Sequence, residues 1–450
     1  MKRGSKTLFF VLFCLLAPLA AQAKKDAPEG DYRLGDRKEF WVWDLRVMPP
    51  AFRRTEATVR AVGPRSYIFV ENALWEKNIQ ASYVEQLHQQ LEFRTPEGSI
   101  NEKTGIIPLQ EKIFAPLPKK IRNDERLIVL FADLGKYKNH EFDGFFNAFD
   151  QLTEENAWKN FEQHSNEANI VYINGLRGTE EYTTGVISHE LQHLLAHHAT
   201  GIENFSQDIW LSESIAEGAM LLTGYFTDQG HVNRYVENTS KFPLVTQSYV
   251  QYGPQLLFAS YLIDVVKSEG EGLGFLTRVA KKGREAVEFL FRTKTDTPFS
   301  FDAIFGNFLT YLFESANRQV QLPGAWKHSV NGIVLPEIKA YARIEQFPAQ
   351  LEGVVFPYSF AAVDLAQELP PTALVTVEPI PHVVDAPVDQ PPEQNCANSS
   401  STLWKPVSPK RIAIYAIGCE HKSAKDIVQF RLRILDKPSL LPASPLKLLP

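Results

Sequence analysis

Ile187-Ser188-His189-Glu190-Leu191-Gln192-His193-Leu194-Leu195 is the stretch on which the reading of this chain turns. His189 and His193 stand one helical turn apart, so both imidazoles leave the same helix face and can converge on one ion. Zinc accepts imidazole nitrogen at about 2.0–2.1 Å, and two such ligands leave two tetrahedral positions open. Glu190 is rotated about 100° from His189, which sets its carboxylate beside the ion rather than on it. A carboxylate so placed can take a proton from water activated by the metal. Ile187, Leu191, Leu194 and Leu195 form an apolar stripe that would bury the other side of the helix.

Outward from the motif, the helix is expected to span Thr183–His198, after a strand at Ile170–Asn174. A hydrolytic zinc site needs a third ligand. A third histidine six residues beyond the second is excluded, because Ala196 and Ala199 stand where glycine and histidine would be required. His197 and His198 miss that spacing and read as polar residues near the helix end, where positive charge suits the dipole. A second helix is expected at Ile209–Thr223, with Asp208 placed to cap it and Gly224 to end it. It carries Trp210-Leu211-Ser212-Glu213-Ser214-Ile215-Ala216-Glu217, with two carboxylates one turn apart on one face. Trp210, Leu211, Ile215, Ala216, Ala219 and Leu222 crowd around them, so this helix reads as buried. Buried carboxylates need a partner, and a metal with its ligands supplies one. Spacing alone allows either Glu213 or Glu217 on the metal, with the other behind it.

At these residues the chain resembles the gluzincin zinc metallopeptidases, whose downstream helix carries a motif like W-L-x-E-x-x-A-E where this sequence has WLSESIAE. The resemblance implies one zinc per chain, held by His189, His193 and Glu213, with Glu190 as general base. It puts Glu217 where such enzymes hydrogen-bond a zinc-bound histidine. Within that group the chain looks like the hyicolysin-like secreted neutral metallopeptidases. Between Glu39 and Phe313 the segments GFFNAFD, NEANIVYIN, YGPQLLFASYLID and FDAIFGNFLTYLF follow a similar layout. Ser212 and Ser214 stand where that family commonly has Asn and Gly. By resemblance of the YG segment, Tyr252 is the candidate to stabilise the oxyanion of the tetrahedral intermediate, with Tyr249 and His231 as rivals. The implied reaction is hydrolysis of a protein or peptide substrate. The alternative is a secreted binding protein or adhesin on an inactive peptidase scaffold.

The rest of the chain frames that reading. At 450 residues, 44% hydrophobic and 22% charged, it has a globular composition with room for two or three domains. A net charge of −6 gives no reason to expect nucleic acid or an anionic membrane as partner. Residues 1–23 read as a signal peptide: a basic start at Met1–Lys6, an apolar run from Thr7 to Ala20, and Ala21-Gln22-Ala23 at the cleavage site. The apolar run is about 14 residues, short of the roughly 20 that span a bilayer. The mature protein is therefore expected to be exported, secreted or periplasmic, and free of the membrane.

Residues 24–125 read as an N-terminal α/β region, with strands at Glu39–Asp44 and Ser66–Val70 and a helix from Ala81 to Phe93 that carries His88 as a surface or rim residue rather than a ligand. Residues 126–325 read as the zinc metallopeptidase domain. There a buried strand, Arg126–Asp133, and a Gly/Phe-rich segment precede the helices, the third opening at Pro254 and the fourth striped by Ile304, Phe305, Phe308, Leu309, Leu312 and Phe313. Residues 326–450 read as a proline-rich linker and a β-rich domain with strands at Arg411–Ile417 and Ile427–Ile434. That domain is expected to be stapled by a Cys396–Cys419 disulfide and open to an unknown surface ligand. The expected fold class is α+β, a mixed sheet followed by helices. His140, His164, His328, His382 and His421 have no partner at ligand spacing and read as structural or solvated.

Overall fold

The computed structural model describes residues 32–47, 49–119, 124–137, 140–177, 181–200, 208–225, 229–246, 252–268, 270, 272–292, 297–318, 335–380, 400–419 and 427–435. Its first sheet is built from β1 (Arg37–Asp44), β2 (Ala51–Val62), β3 (Ser66–Glu71) and β4 (Leu127–Ala132), then, beyond a small hairpin of β5 (Lys136–Tyr137) and β6 (His140–Glu141), β7 (Gly144–Phe146) and β8 (Ile170–Asn174). The order across the sheet is β1-β2-β3-β4-β8-β7. β3, β4 and β8 are buried at every position and pair in parallel, Ile68 opposite Val129 and Val129 opposite Val171. Near-continuous apolar runs suit strands covered on both faces.

Alternation along those strands sorts their side chains into two cores. Ile68, Val70, Val129, Phe131, Val171 and Ile173 face the helices. Tyr67, Phe69, Ile128, Leu130, Ile170 and Tyr172 meet Phe40, Val42, Ala57 and Val59 of β1 and β2. The sheet thus curls over itself, helped by a register shift between Val59 and Ala61. Trp43 of β1 stacks on Phe145 of β7 at 4.9 Å although these strands are opposite edges of the sheet.

The helices are α1 (Ala81–Glu92), α2 (Ile106–Ile113), α3 (Glu154–Phe161), α4 (Glu181–Thr200), α5 (Ile209–Thr223), α6 (Gln229–Glu237), α7 (Gly253–Ser268), α8 (Phe275–Lys282), α9 (Arg284–Leu290) and α10 (Phe301–Arg318). The apolar stripes expected on α4 and α10 are fully buried. Gly224, at φ 78°, ends α5 in the left-handed conformation that glycine tolerates. Asp208 precedes α5, but its side chain does not cap the helix. Its Oδ1 accepts from Arg284 Nη2 at 2.9 Å and from Trp210 Nε1 at 3.3 Å, so a guanidinium on α9 takes the oxygen a cap would have used.

The C-terminal strands are β9 (Ala342–Ile344), β10 (Ala349–Val355), β11 (Phe360–Leu365), β12 (Leu374–Pro379), β13 (Ser401–Ser408), β14 (Arg411–Ile417) and β15 (Val428–Leu435). Sheets β10-β15-β12 and β13-β14-β11-β9 enclose Val363, Ile412, Ile414, Val428, Phe430 and Leu432. Pro379 closes edge strand β12, where a missing N–H is tolerated. The other face of β11 and β14 joins the helical core through Phe360, Ala362, Ala413 and Tyr415. Tyr358 donates to Asp302 at 2.7 Å and Thr239 Oγ1 to the Phe360 carbonyl at 2.8 Å across that seam. The architecture is α+β. Cys396, and with it the Cys396–Cys419 bridge, lies outside the described residues, as do residues 1–23, Tyr249, His328, His382 and His421. No helix among the described residues is long and apolar enough to cross a membrane.

One buried carboxyl ties β1 and β8 together. Asp150 accepts the Asn166 backbone N–H at 2.6 Å and the Tyr172 hydroxyl at 2.7 Å, and the Asn166 side chain brackets the Trp41 backbone. Burial pushes the Asp150 carboxyl up to about 7, against the pull of those hydrogen bonds and of Lys38. A raised folded pKa means its stabilising contribution is complete below about pH 3.9 and is lost as pH rises through about 7, on the order of 4 kcal/mol at most. The melting temperature of Asp150→Asn relative to wild type is therefore expected to climb between pH 5 and pH 8.5 in thermal unfolding. A difference that stays flat with pH contradicts this assignment.

Candidate metal centre

α4 and α5 run antiparallel against each other, and the motif residues meet across their seam. His189 Nε2 lies 3.2 Å from Glu213 Oε2, His193 Nε2 lies 3.6 Å from Glu213 Oε1, and the two Nε2 atoms are 3.1 Å apart. One donor atom from each of these residues lies within 4.8 Å of the others, the single such group of three among the described residues. A tetrahedral zinc with bonds of about 2.0–2.1 Å sets its ligands roughly 3.3 Å apart, so the separations fit such an ion. His189, His193, Glu190 and Glu217 are buried, while the Glu213 side chain keeps 19% of its surface in solvent. The centre therefore opens to solvent on the Glu213 side.

The electrostatics point the same way. Burial works against a charged His189, yet Glu213 and Glu217, helped by Glu190, hold its ring well above the ordinary value. Burial likewise opposes an ionised Glu213, and His193 and His189 overcome it and hold that carboxyl far below its usual range. Three carboxylates around two imidazoles make a buried site short of positive charge, which a divalent cation would supply. The donor set and its charge both fit zinc.

The two glutamates left open by spacing take different places. Glu213 faces both Nε2 atoms, whereas Glu217 Oε1 lies 3.2 Å from His189 Nδ1, on the far side of that ring. A carboxylate there fixes the ring's tautomer and raises its basicity. Glu217→Ala is expected to weaken zinc binding about 10–100-fold, read by competition with a chromophoric chelator; unchanged affinity would remove Glu217 from the centre. On His193 the corresponding atom, Nδ1, meets Ser212 Oγ at 3.4 Å. In the sequence Ser212 stands out only as a departure from the family pattern, and nothing local to it points to this contact.

Glu190 lies beside the trio. Burial raises its carboxyl above the usual value, opposed by His189, His193 and the Phe146 backbone N–H that hydrogen-bonds it. Phe146 belongs to β7, which ends the sheet order and pairs with β8, so the sheet's edge runs alongside the candidate base. Tyr252 immediately precedes α7 at φ 47°, its ring centroid 6.1 Å from that of His189 and 5.5 Å from that of His231. The structure thus brings Tyr252 and its rival His231 to one side of the centre. His197 departs from expectation: it is buried, its ring 5.5 Å from Phe146, and burial pushes its pKa down to about 4. It is a neutral packing residue rather than a charge at the helix end. His198 is exposed but also shifted down. His164 is structural, stacked between Trp41 and Trp158 with Nδ1 2.6 Å from Glu154. No known protein family and no curated protein matches this chain.

Proposed function

We propose that the protein is an exported zinc metallopeptidase that hydrolyses internal peptide bonds. The observation that carries this reading is the convergence of His189, His193 and Glu213 with Glu190 beside them. One zinc per chain, held by those three ligands, would polarise the scissile carbonyl and activate the attacking water. Glu190 takes the proton of that water and delivers it to the leaving amine. A carboxyl raised by burial suits both steps. β7 ends the sheet order among the described residues, so its outer edge could offer an extended peptide a backbone to pair with, beside the base. The C-terminal sandwich is left to bind an unknown surface ligand.

Tyr252 supports the reaction from the other side. A non-glycine residue at φ 47° is uncommon and marks a position held by its surroundings. Burial, with Glu213, Glu217 and Glu190 close by, pushes its hydroxyl well above the ordinary value, so it stays protonated and able to donate to an oxyanion. Tyr252→Phe is expected to lower kcat about 10²–10³-fold with zinc affinity unchanged; an unaltered kcat would rule the residue out.

The test of the reading is hydrolysis of a labelled, unfolded casein by the mature chain. Cleavage that stops on chelation and returns with zinc is the expected result. Cleavage indifferent to chelation, or none with a zinc-loaded chain, would overturn it.

A further inference from the structure

The antiparallel seam between α4 and α5 has a rung beyond the ligands. Stepping along α4, Ser188 meets Thr223, His189 meets Glu217, and His193 meets Glu213. The first of these is a hydroxyl pair, Ser188 Oγ to Thr223 Oγ1 at 2.8 Å, fully buried and one residue ahead of the first ligand. A third helix holds it. Gln110 of α2 donates from Nε2 to both the carbonyl and the hydroxyl of Ser188, each at 2.7 Å. Thr223 Oγ1 in turn donates to the Ala219 carbonyl at 2.8 Å on α5.

Gln110 is an odd choice for packing alone. It is 0% exposed, and its Oε1 has no hydrogen-bond partner among the described residues. Leaving a buried carbonyl unsatisfied costs about 1–3 kcal/mol, a cost an apolar side chain of similar volume avoids. What the amide adds is two donated hydrogen bonds that fix the rotation and axial position of α4 beside His189. A slip of one residue moves a helix about 1.5 Å and turns its side chains about 100°, whereas a productive site tolerates about 0.5 Å.

We propose that Gln110 is a positioning residue for the metal centre, acting through the Ser188–Thr223 rung to hold α4 and α5 in the register that brings His189 and His193 to Glu213 and Glu217. The proposal rests on the metal reading of that site.

Gln110→Met keeps the volume and removes the donor; Leu109→Ala, at a buried apolar neighbour on α2, serves as a control that destabilises without touching the rung. Zinc affinity, thermal stability and the NMR signal of the His189 Nδ1 proton are measured for both. The expected result is zinc binding at least about tenfold weaker and a shifted His189 signal in Gln110→Met, with both near wild type in Leu109→Ala. Equal zinc affinity and an unmoved signal in Gln110→Met overturn the proposal, as does a matching affinity loss in the control. Should Gln110→Met not fold, Thr223→Val removes the far end of the rung and is held to the same criteria. If wild type binds no zinc, the metal reading falls and the His189 signal alone decides: shifted in Gln110→Met only supports the register role, unmoved overturns it.

Discussion

Glu190→Gln is expected to retain a full equivalent of zinc while kcat/KM on a peptide substrate falls about 10²–10⁴-fold. The carboxamide has nearly the shape of the carboxylate, so packing and the Phe146 contact should persist. What disappears is the ability to accept a proton from water and return it to the leaving amine. Glu190 is not among the three residues whose donor atoms converge, which is why metal binding and activity should separate in this variant. Loss of zinc in Glu190→Gln would make the residue a ligand, and full activity would make the base some other group.

Glu213→Ala should have the opposite signature, with metal and activity lost together. Among the described residues Glu213 supplies the only carboxylate facing both Nε2 atoms, and without it two imidazoles remain. The affinity loss should exceed the 10–100-fold typical of groups that merely orient a ligand, so it should stand clear of Glu217→Ala. Ligand binding to the folded state alone stabilises by about 2.7 kcal/mol at a hundredfold excess over Kd. Zinc should therefore raise the melting temperature of wild type and leave that of Glu213→Ala unmoved. A zinc-dependent rise of equal size in both would displace Glu213 from the centre.

The part of the fold that gathers His189, His193 and Glu213 was largely legible because its signals are local. Histidines one turn apart on a helix must share a face, and the stripe of Ile187, Leu191, Leu194 and Leu195 told which side was buried. The parallel strands declared themselves as unbroken apolar runs. Spacing alone did not choose between Glu213 and Glu217, since both sit on one face and only the rotation of α5 against α4 separates them; the choice of Glu213 came from the family resemblance. β2 escaped notice because Arg53, Arg54, Glu56 and Arg60 dominate it, while its inward positions are the small residues Thr55, Ala57 and Val59. α2 was hidden by Pro108, which sits in the first turn where its missing N–H costs no helical bond. His197 misled because chain position suggested a frayed, charged helix end, whereas β7 packs over it. Nor could Gln110 be paired with Ser188, 78 residues away.

The proposed centre is a single zinc held by two imidazoles and one carboxylate of this chain. Zinc K-edge absorption on the chain loaded with one equivalent tests it most directly. The expected result is one tightly held zinc with two imidazole ligands and carboxylate oxygen at about 2.0–2.2 Å, and imidazole scattering reduced to one ring in His193→Ala. Zinc that passes through gel filtration unbound, or a shell without imidazole that is indifferent to His193→Ala, would contradict it.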